Sequence, residues 1–440
     1  MRPRSLASLT GRRAALLGLA AALILVAAFA IRLAYVGATP GMRLAHDALD
    51  YDAHAVSIAT VGHYADSLAY GRETAFRPPA YPYALAGVYK LAGVARAGEA
   101  RRVVVARRMQ VVIGTLLVAM VGLLAAQLWG AVAALVAIAL AAVYVPLVTM
   151  SGTVMSEPLF DVFMLGSLSA AIAHRRSVHR YRWALLAGLL AGLAILTRAN
   201  ALILLLPLVF AVWDRRPRWS LAGLTPPAAL VLVAVLAVAP WTIRNARTLH
   251  AFVPVSTQLG SALAGTYNDE ARADRENPAS WRSLRHVRSY ADIFGRVRQT
   301  NEAALEKRLR RRAERYALDH PGYVAEVAYW TTRRGLDLGG LDWARHTAST
   351  VSIDSTWAIR GVVCFWLFAL LAIAGAFTRA ARQTPWFVWA FPALMYLSVV
   401  FLVMETPRYR TPMDPFIVML AALALLAAGR RLAARRAPGR

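Results

Sequence analysis

The sequence predicts an all-α polytopic membrane protein, a bundle of about ten transmembrane helices with amphipathic helices in two long external segments. Three observations carry that prediction. Apolar residues make up 58% of the 440 positions and fall in long unbroken runs. Charged residues, 17% of the chain, cluster between the runs rather than inside them. Arginine clusters recur at alternate connections, as the positive-inside rule requires.

In order, the helix candidates are the apolar runs near 14–37, 104–128, 131–150, 154–173, 183–197, 199–213, 221–241, 357–377, 385–404 and 413–429. Several are shorter than the roughly 20 residues that span a hydrocarbon core. The first follows Arg12 and Arg13, as a signal peptide would, but it reaches Tyr35. That exceeds a signal core, so an uncleaved first helix is expected.

With the N-terminus and its Arg2, Arg4, Arg12 and Arg13 in the cytoplasm, alternation puts three clusters on the same side. These are Arg175, Arg176, Arg180 and Arg182; Arg215, Arg216 and Arg218; and Arg379 with Arg382. The tail adds Arg430, Arg431, Arg435 and Arg436, and only the turn at Trp129-Gly130 lacks a cation. Both termini are therefore expected in the cytoplasm of a multi-pass cell-membrane protein.

Two long segments, about 38–103 and 242–356, then fall outside. The first holds an amphipathic helix at 47–60 and a semi-apolar piece at 79–93, too short to span and expected at or partly in the membrane. The second holds a charge-rich helix at 301–318, stopped at His320-Pro321-Gly322, and an amphipathic stretch at 323–334. The expected division is 1–241, a transmembrane module with the first external loop; 242–356, an external region; and 357–440, the last helices and a basic cytoplasmic tail.

The net charge of +26 does not indicate nucleic acid, because it borders apolar runs and no recognition motif accompanies it. The single cysteine, Cys364, leaves no intramolecular disulfide and no Cys-based zinc site. There is no GxxxxGK[ST] loop and no cytoplasmic segment large enough for a Rossmann fold.

Chemistry concentrates on the expected outer side. In the stretch His46 to Ala55, helical spacing puts Asp47, Asp50, Tyr51 and His54 on one face, with Asp52 pointing away. Two readings fit: a solvated helical face, or a general base whose basicity partial burial would raise. Asp50-Tyr51-Asp52 has the two-acid spacing of metal-dependent sugar transferases, but on a helix the two carboxylates diverge. A divalent metal on Asp47, Asp50 and His54 fits the spacing with too few ligands for a site of its own, so no metal is assigned.

Arg77, before Pro78-Pro79, stands at headgroup level, where a guanidinium either clamps a phosphate or snorkels. Glu157 and Asp161 face the same way at the mouth of a helix. Arg198 sits in a turn too short to hide it, Arg244 and Asn245 just past the seventh helix, and Glu405, Arg408 and Arg410 between the last two. Together they outline an arginine-lined, acid-bearing site at the outer leaflet.

These residues, with their neighbours, resemble the GT-C superfamily of membrane glycosyltransferases, in the branch of protein O-mannosyltransferases and the lipid A aminoarabinose transferase. The resemblance runs through Asp47, Tyr51 and Ala55, then Phe76-Arg77-Pro78-Pro79-Ala80-Tyr81-Pro82, Ser156-Glu157-Pro158-Leu159-Phe160 and Leu196-Thr197-Arg198-Ala199-Asn200. It continues through Pro240-Trp241-Thr242-Ile243-Arg244-Asn245, Val253-Pro254-Val255-Ser256-Thr257 and Arg408-Tyr409-Arg410-Thr411-Pro412, over most of the chain.

It implies a GT-C-type bundle, a polyprenyl-phosphate-linked sugar donor, and inverting transfer to a glycan, lipid or protein on the extracytoplasmic face. It further implies Asp47 as the acid-base residue, Glu157 as the second acid, and Arg77 and Arg198 at the donor phosphate, where Arg244 is expected to assist as well. Larger members carry more helices and a C-terminal external domain, which this chain lacks in length. Two other classes stand beside this reading: an O-antigen ligase or polysaccharide polymerase, and a transporter or flippase of lipid-linked sugars. Transporters place charge at mid-membrane and repeat their halves, a pattern not seen here.

Overall fold

The computed structural model describes residues 11–66, 71–214, 217–294, 300–402 and 406–436; Arg2, Arg4, Arg215, Arg216 and Glu405 lie outside the described residues. Helix α1 (Gly11–Ala38) turns Leu16, Leu19, Leu23 and Val26 outward and buries only Ala28, Arg32 and Tyr35. An exposed stripe of that length is at home in lipid rather than water.

Helix α2 (Asp47–Val61) closes at Gly62, whose left-handed φ of 79° lets its N–H return to the Ile58 carbonyl. Two short strands, β1 (Ala65–Asp66) and β2 (Arg72–Glu73), pair antiparallel, and α3 (Ala80–Leu91) starts directly after Pro79. Helix α4 (Glu99–Trp129) begins in the first long segment and continues down the bundle for 31 residues, about 46 Å at 1.5 Å per residue.

The apolar run near 131–150 is not one helix. It breaks at Tyr144 into α5 (Ala131–Val143) and α6 (Val145–Met150), because Pro146 cannot supply an N–H to continue the ladder. Helices α7 (Glu157–Arg176) and α8 (Arg180–Thr197) follow. The run near 199–213 is likewise divided, into a 3-10 turn (Ala199–Leu204) and α9 (Leu205–Val212).

Helix α10 (Leu221–Leu249) passes through Pro240, so Arg244 and Asn245 lie in its last turns rather than beyond it. A proline inside a membrane helix is tolerated where neighbours satisfy the carbonyl it frees.

The second long segment carries α11 (Gln258–Thr266), α12 (Asp269–Ala273), α13 (Ala291–Phe294), α14 (Glu302–Asp319), α15 (Pro321–Gly335) and α16 (Leu341–Thr350). Asn301 caps α14 through the N–H groups of Ala303 and Ala304, and Pro321 opens α15 in the first turn, where its missing donor costs nothing. The chain ends with α17 (Ser355–Ala376), α18 (Arg379–Arg382), α19 (Trp386–Val400) and α20 (Asp414–Arg436).

Six of the described helices (α1, α4, α8, α10, α17 and α20) are long and apolar enough to cross a membrane; α5, α19 and the paired segment Ala199–Val212 are shorter apolar helices. With α7, which runs beside α4 and α8, they account for all ten predicted runs.

The main core joins α4, α5, α7, α8, α9, α19 and α20. Sealed within it is Arg32, fully buried, donating to Ser151 Oγ (3.2 Å) and to the carbonyls of Ala28, Ala141 and Ala142. Gly114 is required beside it, since a Cβ there would lie 2.0 Å from Ser151 Oγ. A second core lies beneath α2 and α3, where Tyr51, Tyr81, Leu85 and Tyr89 pack against Ala106 and Met155. Helix α3, expected at or partly in the membrane, thus buries one face against α2 and the start of α4.

Candidate active site

Asp47 opens α2, where the backbone of His46 takes φ 47° and ψ −119°, an uncommon conformation for a non-glycine residue. That turn aims the first carboxylate of the helix inward. Asp47 Oδ1 accepts from Arg77 Nη2 at 2.6 Å, and Oδ2 accepts from Arg408 Nη2 at 2.7 Å. Asp50, one turn on, accepts from the same Arg77 through Nη2 (2.5 Å) and Nε (3.1 Å). Pro78-Pro79 brings Arg77 to this point, and its guanidinium also lies 5.5 Å from the centre of the Tyr51 ring.

Tyr51, on the same face of α2, shares a 3.0 Å hydrogen bond with Ser156 Oγ. Beside it, Glu157 at the start of α7 pairs with Arg198 at 2.7 Å. Arg198 follows the last residue of α8 in an extended conformation, φ −147°, which turns its side chain into the protein. The short turn therefore does hide it, against the expectation from loop length: the side chain is 16% exposed. Tyr409 lies between two guanidiniums, with Arg198 5.6 Å and Arg408 4.8 Å from its ring centre. Its hydroxyl also takes a hydrogen bond from Arg408 at 2.9 Å.

These groups line a cavity of about 170 Å³, walled further by Pro78, Asn200, Gln258, Leu259 and Ser398. Burial alone would raise the pKa of Asp47, but the Arg408 and Arg77 guanidiniums outweigh it and hold the carboxyl well below the usual carboxylate range. The expectation that burial raises its basicity is thus overturned, because a carboxylate flanked by two cations is stabilised in its charged form. Arg77 stays charged: burial opposes its charge, and Asp47, Tyr51 and Asp50 more than compensate.

Other predicted residues lie elsewhere. Asp52 does point away, accepting from Tyr89 (2.7 Å) and Arg102 (2.6 Å). His54 Nδ1 is engaged with the Ala65 carbonyl at 3.0 Å and its ring packs on Tyr64, so it does not join Asp47 and Asp50. Among the described residues no cluster of three His, Cys, Asp or Glu could hold a metal ion.

Arg244 ties together the residues that flank the β1–β2 pair, donating to the carbonyls of Thr74 (2.6 Å) and Tyr64 (3.0 Å). Arg410 turns away from the cavity to Asp337 (2.8 Å) and Asp414 (3.1 Å). Asp161 is fully buried one turn below Glu157, with no hydrogen-bond partner for either oxygen among the described residues.

The sequence reading missed the pairing of Tyr51 with Ser156 and the position of Tyr409 between two arginines. Ser156-Glu157 and Arg408-Tyr409 were adjacent to named residues, which was the only signal available.

The sequence profile of the dolichyl-phosphate-mannose-protein mannosyltransferase family matches residues 76–243. No curated protein matches the sequence.

Among solved structures, the chain is similar to the oligosaccharyltransferase of Archaeoglobus fulgidus tethered with an acceptor peptide. The TM-score is 0.56 at 15% identity, over 95% of this chain and 50% of that one. It matches the same archaeal enzyme, AglB, in complex with an inhibitory peptide and a dolichol-phosphate at TM-score 0.56 and 16% identity, over 95% and 51%. ArnT from Cupriavidus metallidurans bound to undecaprenyl phosphate aligns at TM-score 0.41 and 18% identity, over 95% and 79%.

The chain spans about half the length of the archaeal enzyme it matches. A family profile over residues 76–243 and a fold shared with the archaeal enzyme are thus what the chain has in common with GT-C membrane glycosyltransferases, and the protein is an all-α multi-pass membrane protein.

Proposed function

We propose that this protein moves a monosaccharide from a polyprenyl-phosphate-linked donor to an acceptor hydroxyl, at the extracytoplasmic end of the bundle, with Asp47 as general base. The observation that carries the reading is the Asp47 carboxylate held between Arg77 and Arg408 over a cavity at the ends of membrane helices. The family profile over residues 76–243 and the GT-C fold support the donor class.

In the ligand-free arrangement Asp47 is a poor base, because both oxygens accept from guanidiniums. A donor phosphate entering the cavity competes for Arg77 and Arg408, and Arg198 on the far wall completes the cationic lining. As the guanidiniums turn to the phosphate, Asp47 loses the two cations that depress its pKa and regains basicity where the acceptor arrives.

The acceptor oxygen then bonds to the anomeric carbon from the face opposite the phosphate, and its proton goes to Asp47. The bond between that carbon and the phosphate oxygen breaks, and the polyprenyl phosphate leaves with the electron pair, stabilised by the arginines. Inversion follows from the single displacement. Glu157, fixed by Arg198 and close to Ser156 and Tyr51, orients the sugar or acceptor. On this reading Arg77 and Arg198 from 1–241 meet the donor together with Arg408 from 357–440, and 242–356 helps select the acceptor.

The test is a transfer assay in proteoliposomes with polyprenyl-phosphate sugars, with native mass spectrometry of the gently extracted protein. Retention of polyprenyl phosphate or its glycosylated form by the wild type, and its loss in Arg77→Ala, is expected. A well-folded Asp47→Asn protein with near wild-type transfer would sink the assignment of the base.

A further inference from the structure

The end of the bundle away from Asp47 holds a second, larger cavity. Glu157 and Arg175 stand at opposite ends of α7, about 27 Å apart along the axis at 1.5 Å per residue. Around Arg175 the ends of α4, α7 and α17 meet the starts of α5 and α19 and the last turns of α20, enclosing about 1440 Å³.

Its lining is divided by chemistry. Buried Ala133, Ile172, Phe387 and Leu423 form an apolar floor. Six arginines, Arg175, Arg176, Arg379, Arg382, Arg430 and Arg431, stand exposed around it, and no Asp or Glu lines it.

Two of these arginines are committed to the protein. Arg175 donates to the Ala211 carbonyl at 2.6 Å and lies over Phe387, and Arg382 donates to the Phe377 carbonyl at 2.7 Å. The other four, Arg176, Arg379, Arg430 and Arg431, form no ion pair among the described residues.

The positive-inside rule accounts for arginines at this end, but not for their closing around one cavity with an apolar floor. Four cations without counter-ions in the protein repel one another; water and salt screen that repulsion in part, and a bound anion offsets it further. An occupant that satisfies both parts carries a phosphate at one end and hydrocarbon at the other.

We propose that this cavity binds an anionic, phosphate-bearing membrane lipid from the leaflet on the arginine-rich side. The phosphate is held by Arg176, Arg379, Arg430 and Arg431, and an acyl or prenyl chain lies on the floor of Ile172, Phe387 and Leu423. The site is independent of the sugar-transfer cavity and stands whether or not that reading does.

The test uses the full chain in a neutral detergent, titrated with short-chain phosphatidylglycerol or phosphatidylcholine and read by native mass spectrometry. Phosphatidylglycerol is expected to be retained at least tenfold more than phosphatidylcholine. That preference is expected to disappear in Arg176→Gln/Arg379→Gln/Arg430→Gln/Arg431→Gln, whose elution and thermal unfolding are followed alongside.

Should the quadruple variant misfold, the pairwise variant Arg430→Gln/Arg431→Gln is read instead; its substitutions lie on the last, exposed turns of α20. Equal retention of the two lipids, or a preference undiminished in the folded variant, would overturn the proposal. Displacement of the lipid by millimolar inorganic phosphate would overturn it too, by showing that the site reads the ion alone.

Discussion

Arg408 and Arg410 sit two residues apart on one 3-10 turn (Pro407–Arg410), and each meets two acids or shares one, yet their surroundings differ in kind. Arg410 is 3% exposed, Asp337 4% and Asp414 2%. Its donors go to both carboxylates and to the Gly335 carbonyl (2.7 Å), and Phe365 covers its guanidinium.

Arg408 is 12% exposed and Asp47 22%, and the Nε of Arg408 has no partner among the described residues. The Arg410 network is almost wholly buried and borders only a small cavity of about 70 Å³. The other faces the larger cavity of about 170 Å³, with its charges available to something that enters. A buried ion pair by itself says little about function; whether a ligand can reach it and still find unused donors says more.

The largest expected effect separates the two networks by what is lost. Asp47→Asn should reduce transfer by roughly 100-fold or more, the range of general-base contributions, while the protein still folds. Arg410→Ala should instead cost about 3–5 kcal/mol of stability, since it leaves two buried acids without their cation. Thermal unfolding in detergent beside the transfer assay reads both, and a folded, inactive Arg410→Ala protein would erase the distinction.

Next in size is replacement of a whole network. Arg410→Met/Asp337→Leu/Asp414→Leu should fold close to wild-type stability, because well-packed apolar residues often replace a buried ion pair without loss. The equivalent change around Arg77, Arg408 and Asp47 should abolish donor retention in native mass spectra.

Within the open site, Arg77→Lys should keep part of the donor binding that Arg77→Ala loses, since a lysine supplies charge without the two-pronged geometry. A smaller effect is expected with pH. The pKa of Asp47 is held below its unfolded value of 3.8, so its contribution to stability is fully present above that pH. It is lost only as pH falls below 3.8 through the folded value. The difference in unfolding between wild type and Asp47→Asn should therefore be flat from about pH 5 to 8 and shrink in stronger acid.

The smallest change is Tyr409→Phe, which keeps the ring between Arg198 and Arg408 and removes one hydrogen bond. About tenfold or less in kcat/KM is expected, the worth of a single hydrogen bond near 1 kcal/mol. A loss as large as that of Asp47→Asn would place Tyr409 among the reacting groups.

Much of this was legible along the chain. Runs of apolar residues report burial or lipid contact whatever the fold, so the helices at 14–37, 183–197 and 357–377 emerged near their predicted positions. The face of α2 bearing Asp47, Asp50 and Tyr51 followed from helical spacing, and so did Asp52 pointing away. The break at Tyr144 was signalled only by Pro146 inside the apolar run, and the one at Ala199–Leu204 was not legible, because an apolar run looks alike whether its helix is continuous or interrupted.

The sequence by itself determined that this is a membrane bundle, where its helices lie, and which arginines and acids stand at helix ends, since each of these depends on residues near in the chain. Only the tertiary structure decided which cation meets which acid. Arg77 and Arg408 reach Asp47 across 30 and 361 positions, Arg198 turns in to Glu157, and Arg410 turns out to Asp337. Two arginines with the same chemistry, two residues apart, have no local property that distinguishes them. Their partners are set by where the surrounding helices pack, and so is the charge state of the carboxylate between them.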